Sequence, residues 1–131
     1  MAVLTAIDGE RGSDRVVERG YDLATAYDDE QVVALAVPES ADTAEAEASA
    51  NQVLDAVFGD DVPDRVRVRG GKYVHGRGPA SKILTIAEEI DPRYIVIGSR
   101  KSSPAGKVVL GSVAQDVLLS TDAPVVIVGT K

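Results

Sequence analysis

The chain has 131 residues, 44% hydrophobic and only 4% aromatic, with a net charge of −7 and no cysteine. This length suits one domain, spanning residues 1–131, with a core of Val, Ile, Leu and Ala. The missing cysteine excludes disulfides, thiolate catalysis and Cys-ligated zinc, and the acidic balance opposes general binding to nucleic acid or anionic membranes.

Ala2 to Ile7 (AVLTAI) reads as a short buried strand, ended by the turn Asp8-Gly9. It is too short for a signal-peptide core, and no run approaches the roughly 20 apolar residues of a membrane helix. A small cysteine-free domain of this kind is expected in the cytoplasm. Asp outnumbers Glu and Arg outnumbers Lys, a tilt that fits a salty cytoplasm. Ser13 stands where the N-cap of a first helix belongs, and Val16, Gly20, Leu23, Ala24 and Tyr27 follow at helical spacing. Gln31 to Val37 is a second buried strand, stopped by Pro38. Asp42 can cap a second helix whose later apolar face holds Val53, Leu54, Val57 and Phe58. Arg65 to Arg69 (RVRVR) alternates, as a strand with one exposed face at a sheet margin does, and its charges discourage stray pairing. The glycine-rich stretch GGKYVHGRG follows, where His75, the single histidine, reads as a solvated loop residue. Pro79 suits the first turn of a third helix, with Ile83, Leu84, Ala87 and Ile90 as its stripe. Tyr94 to Ile97 is a fourth strand, Ser112 to Ser120 a fourth helix and Pro124 to Val128 a fifth strand.

The order βαβαβαβαβ, with short apolar strands and amphipathic helices, specifies an α/β domain: an open parallel five-stranded sheet with helices on both faces, Rossmann-like. The residues leave two strand orders open, 2-1-3-4-5 and 3-2-1-4-5. Open parallel sheets bind ligands at the carboxyl ends of strands where the order reverses. In the second order Asp8 and Gly98 end adjacent strands and face one crevice. The polar and basic connection from Gly98 then returns to Gly111, and Ser112 starts a helix whose free N–H groups favour an anion.

The segments VLTAIDGE, ALAVPE, AEEIDPRYIVIGSRK and VVLGSVAQDVLLSTDAPVVIV together resemble the universal stress protein family along the whole chain. The resemblance implies the 3-2-1-4-5 order. It also implies a nucleotide motif of Gly, two residues, Gly, nine residues, then Gly with Ser or Thr. Gly98 and Gly111-Ser112 match that motif with the overall spacing intact, and Lys101 replaces the second glycine. Asp8 matches the acidic residue that contacts the nucleotide, Val37 the backbone position after the second strand, and Ile97 the hydrophobic residue before the first motif glycine. The resemblance thus implies a nucleotide-binding stress-response or signalling module that takes ATP, with magnesium as companion ion, through Ala6, Ile7, Asp8, Val37, Ile97, Gly98, Arg100, Lys101, Gly111, Ser112 and Val113.

In chemical terms Gly98 and Gly111 allow sharp turns and close approach, and Ser112 can cap its helix or donate to a phosphate oxygen. Asp8 can accept from an adenine amino group or a ribose hydroxyl, while Ile7, Val37 and Ile97 supply an apolar slot for the base. Lys101 either blocks the phosphate or holds it as an ammonium, with Arg100 adding a second cation; a positive φ at position 101 would strain the lysine. The alternative function is a nucleotide-free member acting as a dimeric protein-interaction module. A weak phosphohydrolase would need a positioned base, and only Asp8 or Glu10 is in range; no catalytic residue and no protein-bound metal are assigned. The fifth strand is an apolar edge in this sheet order. The simplest cover is the same strand of a second copy, a homodimer through Pro124 to Val128, as the resemblance also implies.

Overall fold

The structure is a computed structural model. It describes residues 1–9, 12–37, 42–71, 78–102 and 108–129, by backbone alone at 100–102 and 108–109. Strands β1 (Ala2–Ile7), β2 (Gln31–Ala36), β3 (Val66–Gly70) and β4 (Tyr94–Gly98) alternate with helices α1 (Ser13–Ala26), α2 (Thr43–Phe58) and α3 (Pro79–Ile90). After β4 come two short strands, β5 (Arg100–Ser102) and β6 (Val108–Leu110), then α4 (Ser112–Ser120) and β7 (Val125–Val128). The main sheet is five-stranded and parallel in the order β3-β2-β1-β4-β7. This is the 3-2-1-4-5 arrangement, with β7 as the fifth strand.

Side chains on successive strand residues point to opposite faces, and the core divides accordingly. Val3, Val32, Ala34, Val66 and Val96 pack with Val16, Val17 and Ala24 of α1 and Ala50, Val53 and Leu54 of α2. On the other face Leu4, Val33, Leu35 and Ile95 pack with Ile83, Ile86 and Ala87 of α3 and Ala114 and Val117 of α4. The strands read as continuous apolar runs because both of their faces are covered. Every residue of β1 is buried.

Helix ends follow local chemistry. Asp42 caps α2 by accepting from the Glu45 N–H at 2.8 Å, and Pro79 opens α3. Ser13 is not the cap of α1. Gly12 takes that position with φ of 94°, and Ser13 is the first helical residue. In α3 Ile86, rather than Leu84, joins Ile83 and Ala87 among the buried residues. Tyr27 does not continue the apolar stripe of α1. It is the C-cap residue, largely exposed, and its hydroxyl accepts from Tyr94 at 3.3 Å. That hydrogen bond, more than any other cause, pushes the Tyr94 hydroxyl pKa up.

The amino ends of the strands are tied by Asp29, whose side chain is buried. Arg93 donates to both of its oxygens, Nε to Oδ2 at 3.0 Å and to Oδ1 at 3.2 Å, and Nη2 to Oδ1 at 3.1 Å. The hydrogen bond to Asp29 raises the Arg93 pKa, and the guanidinium also lies 4.6 Å from the Tyr27 ring centre. Arg65 donates to the Asp29 carbonyl at 3.2 Å, so one aspartate joins the starts of β2, β3 and β4. A bidentate pair of this kind fixes geometry as well as charge. The other arginines of the edge strand differ: Arg67 is exposed, and Arg69 meets Glu89 at 3.3 Å.

Helix α1 lies close on β1 because Gly20 has no side chain. A Cβ there would overlap the Thr5 methyl, and Thr5 is itself held by a bond from its hydroxyl to the Val33 carbonyl at 3.1 Å. Gly20→Ala should therefore cost about 1–3 kcal/mol through overpacking, despite the better helix propensity of alanine. Urea unfolding would read this as a lower midpoint. Adding Thr5→Ser, which removes the methyl and keeps the hydroxyl, should recover part of the loss.

Candidate functional site

The pairing of β1 with β4, with Ala6 opposite Ile97, brings the ends of two sequence-distant strands together. Asp8 follows β1, Gly98 ends β4, and Val37 follows β2, its N–H donating to the Ile7 carbonyl at 3.2 Å. The face that each side chain takes is decided by strand alternation. Ala6, Val37 and Ile97 are buried together on the α3/α4 face, with Leu110, Val113 and Ile127 partly buried against the same cluster. Ile7 packs on the opposite face, with α1 and α2. The expected apolar slot of Ile7, Val37 and Ile97 is corrected on this point: Ala6 shares the surface with Val37 and Ile97, and Ile7 adjoins it only through its backbone.

The connection from Gly98 to Gly111 contains two short strands that the sequence did not reveal. β5 and β6 pair antiparallel, with Arg100 opposite Leu110, Lys101 opposite Val109 and Ser102 opposite Val108. The Gly111 N–H donates to the Ser99 carbonyl at 3.1 Å and closes the base of this ribbon. The two glycine limbs of the motif thus meet, and α4 begins beside the end of β4. Each strand is only three residues long, too short for an alternation pattern to reveal. The one available signal was the β-branched pair Val108-Val109.

Neither motif glycine has a left-handed backbone. Gly111 is the N-cap of α4 with φ of −70°, and Gly98 lies in the sheet opposite Val128. Ser112 is the first helical residue, and α4 has no side-chain cap, so the expected capping by Ser112 does not occur. The first N–H groups of α4 are then available to an anion. Lys101 lies in the β5 ladder, and positive φ outside glycine occurs among the described residues at Asp28 and Asp91. The strain considered for a left-handed lysine does not arise. The side chains of Arg100 and Lys101, like all of Glu10, Pro38 and His75, lie outside the described residues.

Asp8 is half-buried, and the Ser13 hydroxyl donates to its Oδ1 at 3.1 Å. The turn between β1 and α1 contains Gly9 with φ of 80° and Gly12 with φ of 94°, conformations that glycine adopts without penalty. Among the described residues no three His, Cys, Asp or Glu side chains converge as a metal-binding group, and no helix is long and apolar enough to cross a membrane.

Comparison with known proteins agrees with this architecture. The sequence model of the universal stress protein family matches residues 1–129. A universal stress protein of Mycolicibacterium smegmatis is 42% identical over 53 residues, a stretch that covers 40% of this chain and 41% of that relative. A universal stress protein from Archaeoglobus fulgidus superposes with a TM-score of 0.71 at 28% identity, covering 97% of both chains. Two further structures share the fold. The universal stress protein from Archaeoglobus fulgidus in complex with dAMP has a TM-score of 0.68 at 24% identity, over 97% of this chain and 96% of that one. A universal stress protein in complex with cAMP has a TM-score of 0.73 at 23% identity, over 100% and 98%.

Proposed function

Because this chain belongs to the universal stress protein family, we propose that it binds an adenine nucleotide, ATP with magnesium, and serves in the cytoplasm as a stress-response signalling module. The observation that carries this reading is the hydrogen bond from Gly111 to Ser99, which sets the uncapped start of α4 at the end of β4. Phosphate oxygens would accept from the first N–H groups of α4 at Ser112 and Val113 and from the Ser112 hydroxyl. Gly98 and Gly111 would let the nucleotide approach the backbone. Ala6, Val37 and Ile97 provide an apolar surface for the base, and Asp8 an acceptor for its amino group or for a ribose hydroxyl. Two proteins of this fold have been solved with adenine nucleotides, dAMP and cAMP, which supports the same class of ligand here. Magnesium would enter with the phosphates. Nucleotide bound to the folded state alone stabilises it by mass action, which suits a switch read by another protein.

A second reading, a nucleotide-free interaction module, is favoured by Lys101 at the motif's second glycine position. Either reading includes a homodimer through β7. This strand ends the sheet order, and its apolar residues are only half-buried. The Ile95 N–H donates to the Pro124 carbonyl and the Ser99 N–H to that of Val128. By alternation, the backbone groups of Val125 and Ile127 point away from β4, and a second β7 running antiparallel would satisfy them.

Titration calorimetry with ATP and magnesium is the direct test, and binding of one nucleotide per chain is expected. Gly111→Val should lower that affinity at least about tenfold by placing a branched side chain at the phosphate limb, with the circular dichroism spectrum retained. Unchanged affinity would remove the site. Lys101→Gly should weaken binding about three- to tenfold if the ammonium contacts phosphate; tighter binding would show that the lysine obstructs it. Lack of uptake by the unaltered protein would leave the interaction-module reading. Sedimentation velocity should show two copies per particle at micromolar concentration, and a monomer would overturn the β7 interface.

A further inference from the structure

We infer that Ser13 is a positioning residue that orients the Asp8 carboxylate for the base or ribose side of the nucleotide, an inference that rests on the nucleotide reading above. Ser13 occupies the first position of α1, and Gly12, not Ser13, is the cap. No side chain caps this helix, so the Ser13 hydroxyl is not committed to an α1 N–H group. It donates instead to Asp8 Oδ1 at 3.1 Å, across the turn that joins β1 to α1. The residue is 6% exposed, which limits competition from water for this bond.

Gly9 and Gly12, which stand between Asp8 and Ser13, both have positive φ. A Cβ at Gly9 would overlap the Ser49 hydroxyl, so Gly9 lies tightly against α2. The terminal torsion of an aspartate is broad and roughly two-fold. A charge-assisted hydrogen bond to one oxygen selects a single rotation. An acceptor set in advance binds an amino or hydroxyl group without the cost of ordering it on contact. Ser13 therefore acts through Asp8, and its effect should reach only ligands that Asp8 touches.

The test compares ATP with inorganic tripolyphosphate, which has neither base nor ribose, in calorimetry on the full chain. Ser13→Ala should weaken ATP binding about fivefold and leave tripolyphosphate binding unchanged, as expected for loss of one hydrogen bond to a charged group. A cycle with Asp8→Ala, which removes the acceptor, gives a second readout: in that background Ser13→Ala should have no further effect on ATP. Equal losses for the two ligands, or additive losses in the cycle, would overturn the positioning role while leaving nucleotide binding intact. Unfolding midpoints measured on the same variants identify a loss caused by the fold. Failure of the unaltered chain to bind ATP would remove the nucleotide reading and this inference with it.

Discussion

The parallel pairing of β1 with β4 is the constraint on which the rest of the molecule depends. It reverses the strand order at the centre of the sheet, the place where open parallel sheets bind ligands at their carboxyl ends. It also buries β1 between two strands and two helical layers, which is why each of its six residues is buried. The one polar residue in that strand, Thr5, keeps its hydroxyl bonded to Val33 while its methyl sets how closely α1 approaches at Gly20. With that contact fixed, α1 starts at a defined place beside Asp8, where the Ser13 hydroxyl reaches the carboxylate.

The two ends of the sheet have opposite chemistry. At the amino ends, a buried carboxylate takes a bidentate guanidinium and a backbone carbonyl takes a second arginine, so the charges and polar groups of three strand starts are paired within the chain. At the carboxyl ends, α1, α3 and α4 all begin at glycine without a side-chain cap. A glycine cap costs a helix only a few tenths of a kcal/mol relative to a polar one, yet leaves its first N–H groups open. The paired charges thus lie at one end of the sheet and the helix starts without side-chain caps at the other.

The ribbon formed by β5 and β6 explains how a glycine motif spread along the chain becomes one place. A simple loop between Gly98 and Gly111 would leave their separation variable. Antiparallel pairing and the Gly111–Ser99 bond fix it. The ribbon also gives Lys101 an extended backbone, so a residue that departs from the family's glycine pattern fits there without left-handed strain.

Much of this was legible in the residues. Apolar runs ended by Asp8-Gly9 and Pro38, the Asp42 cap and Pro79 marked the five sheet strands and four helices to within a residue or two, because such signals act through neighbours in sequence. Resemblance to the family chose between two strand orders that periodicity left open. The sequence was silent on Asp29, which looks like one acid in a polar turn until the sheet brings Arg93 to it. It misled at Ser13 and Ser112, where a glycine one residue earlier took the cap, and at Ile7, whose side chain faces away from Val37 and Ile97. The sequence by itself determined the five strands of the main sheet, the four helices and the parallel class, and it nominated residues for a nucleotide site. Only the tertiary structure decided which of them share a face, which glycines meet and what Ser13 holds. Those depend on strand register and on contacts between segments far apart in the chain, where a shift of one residue reverses every side chain.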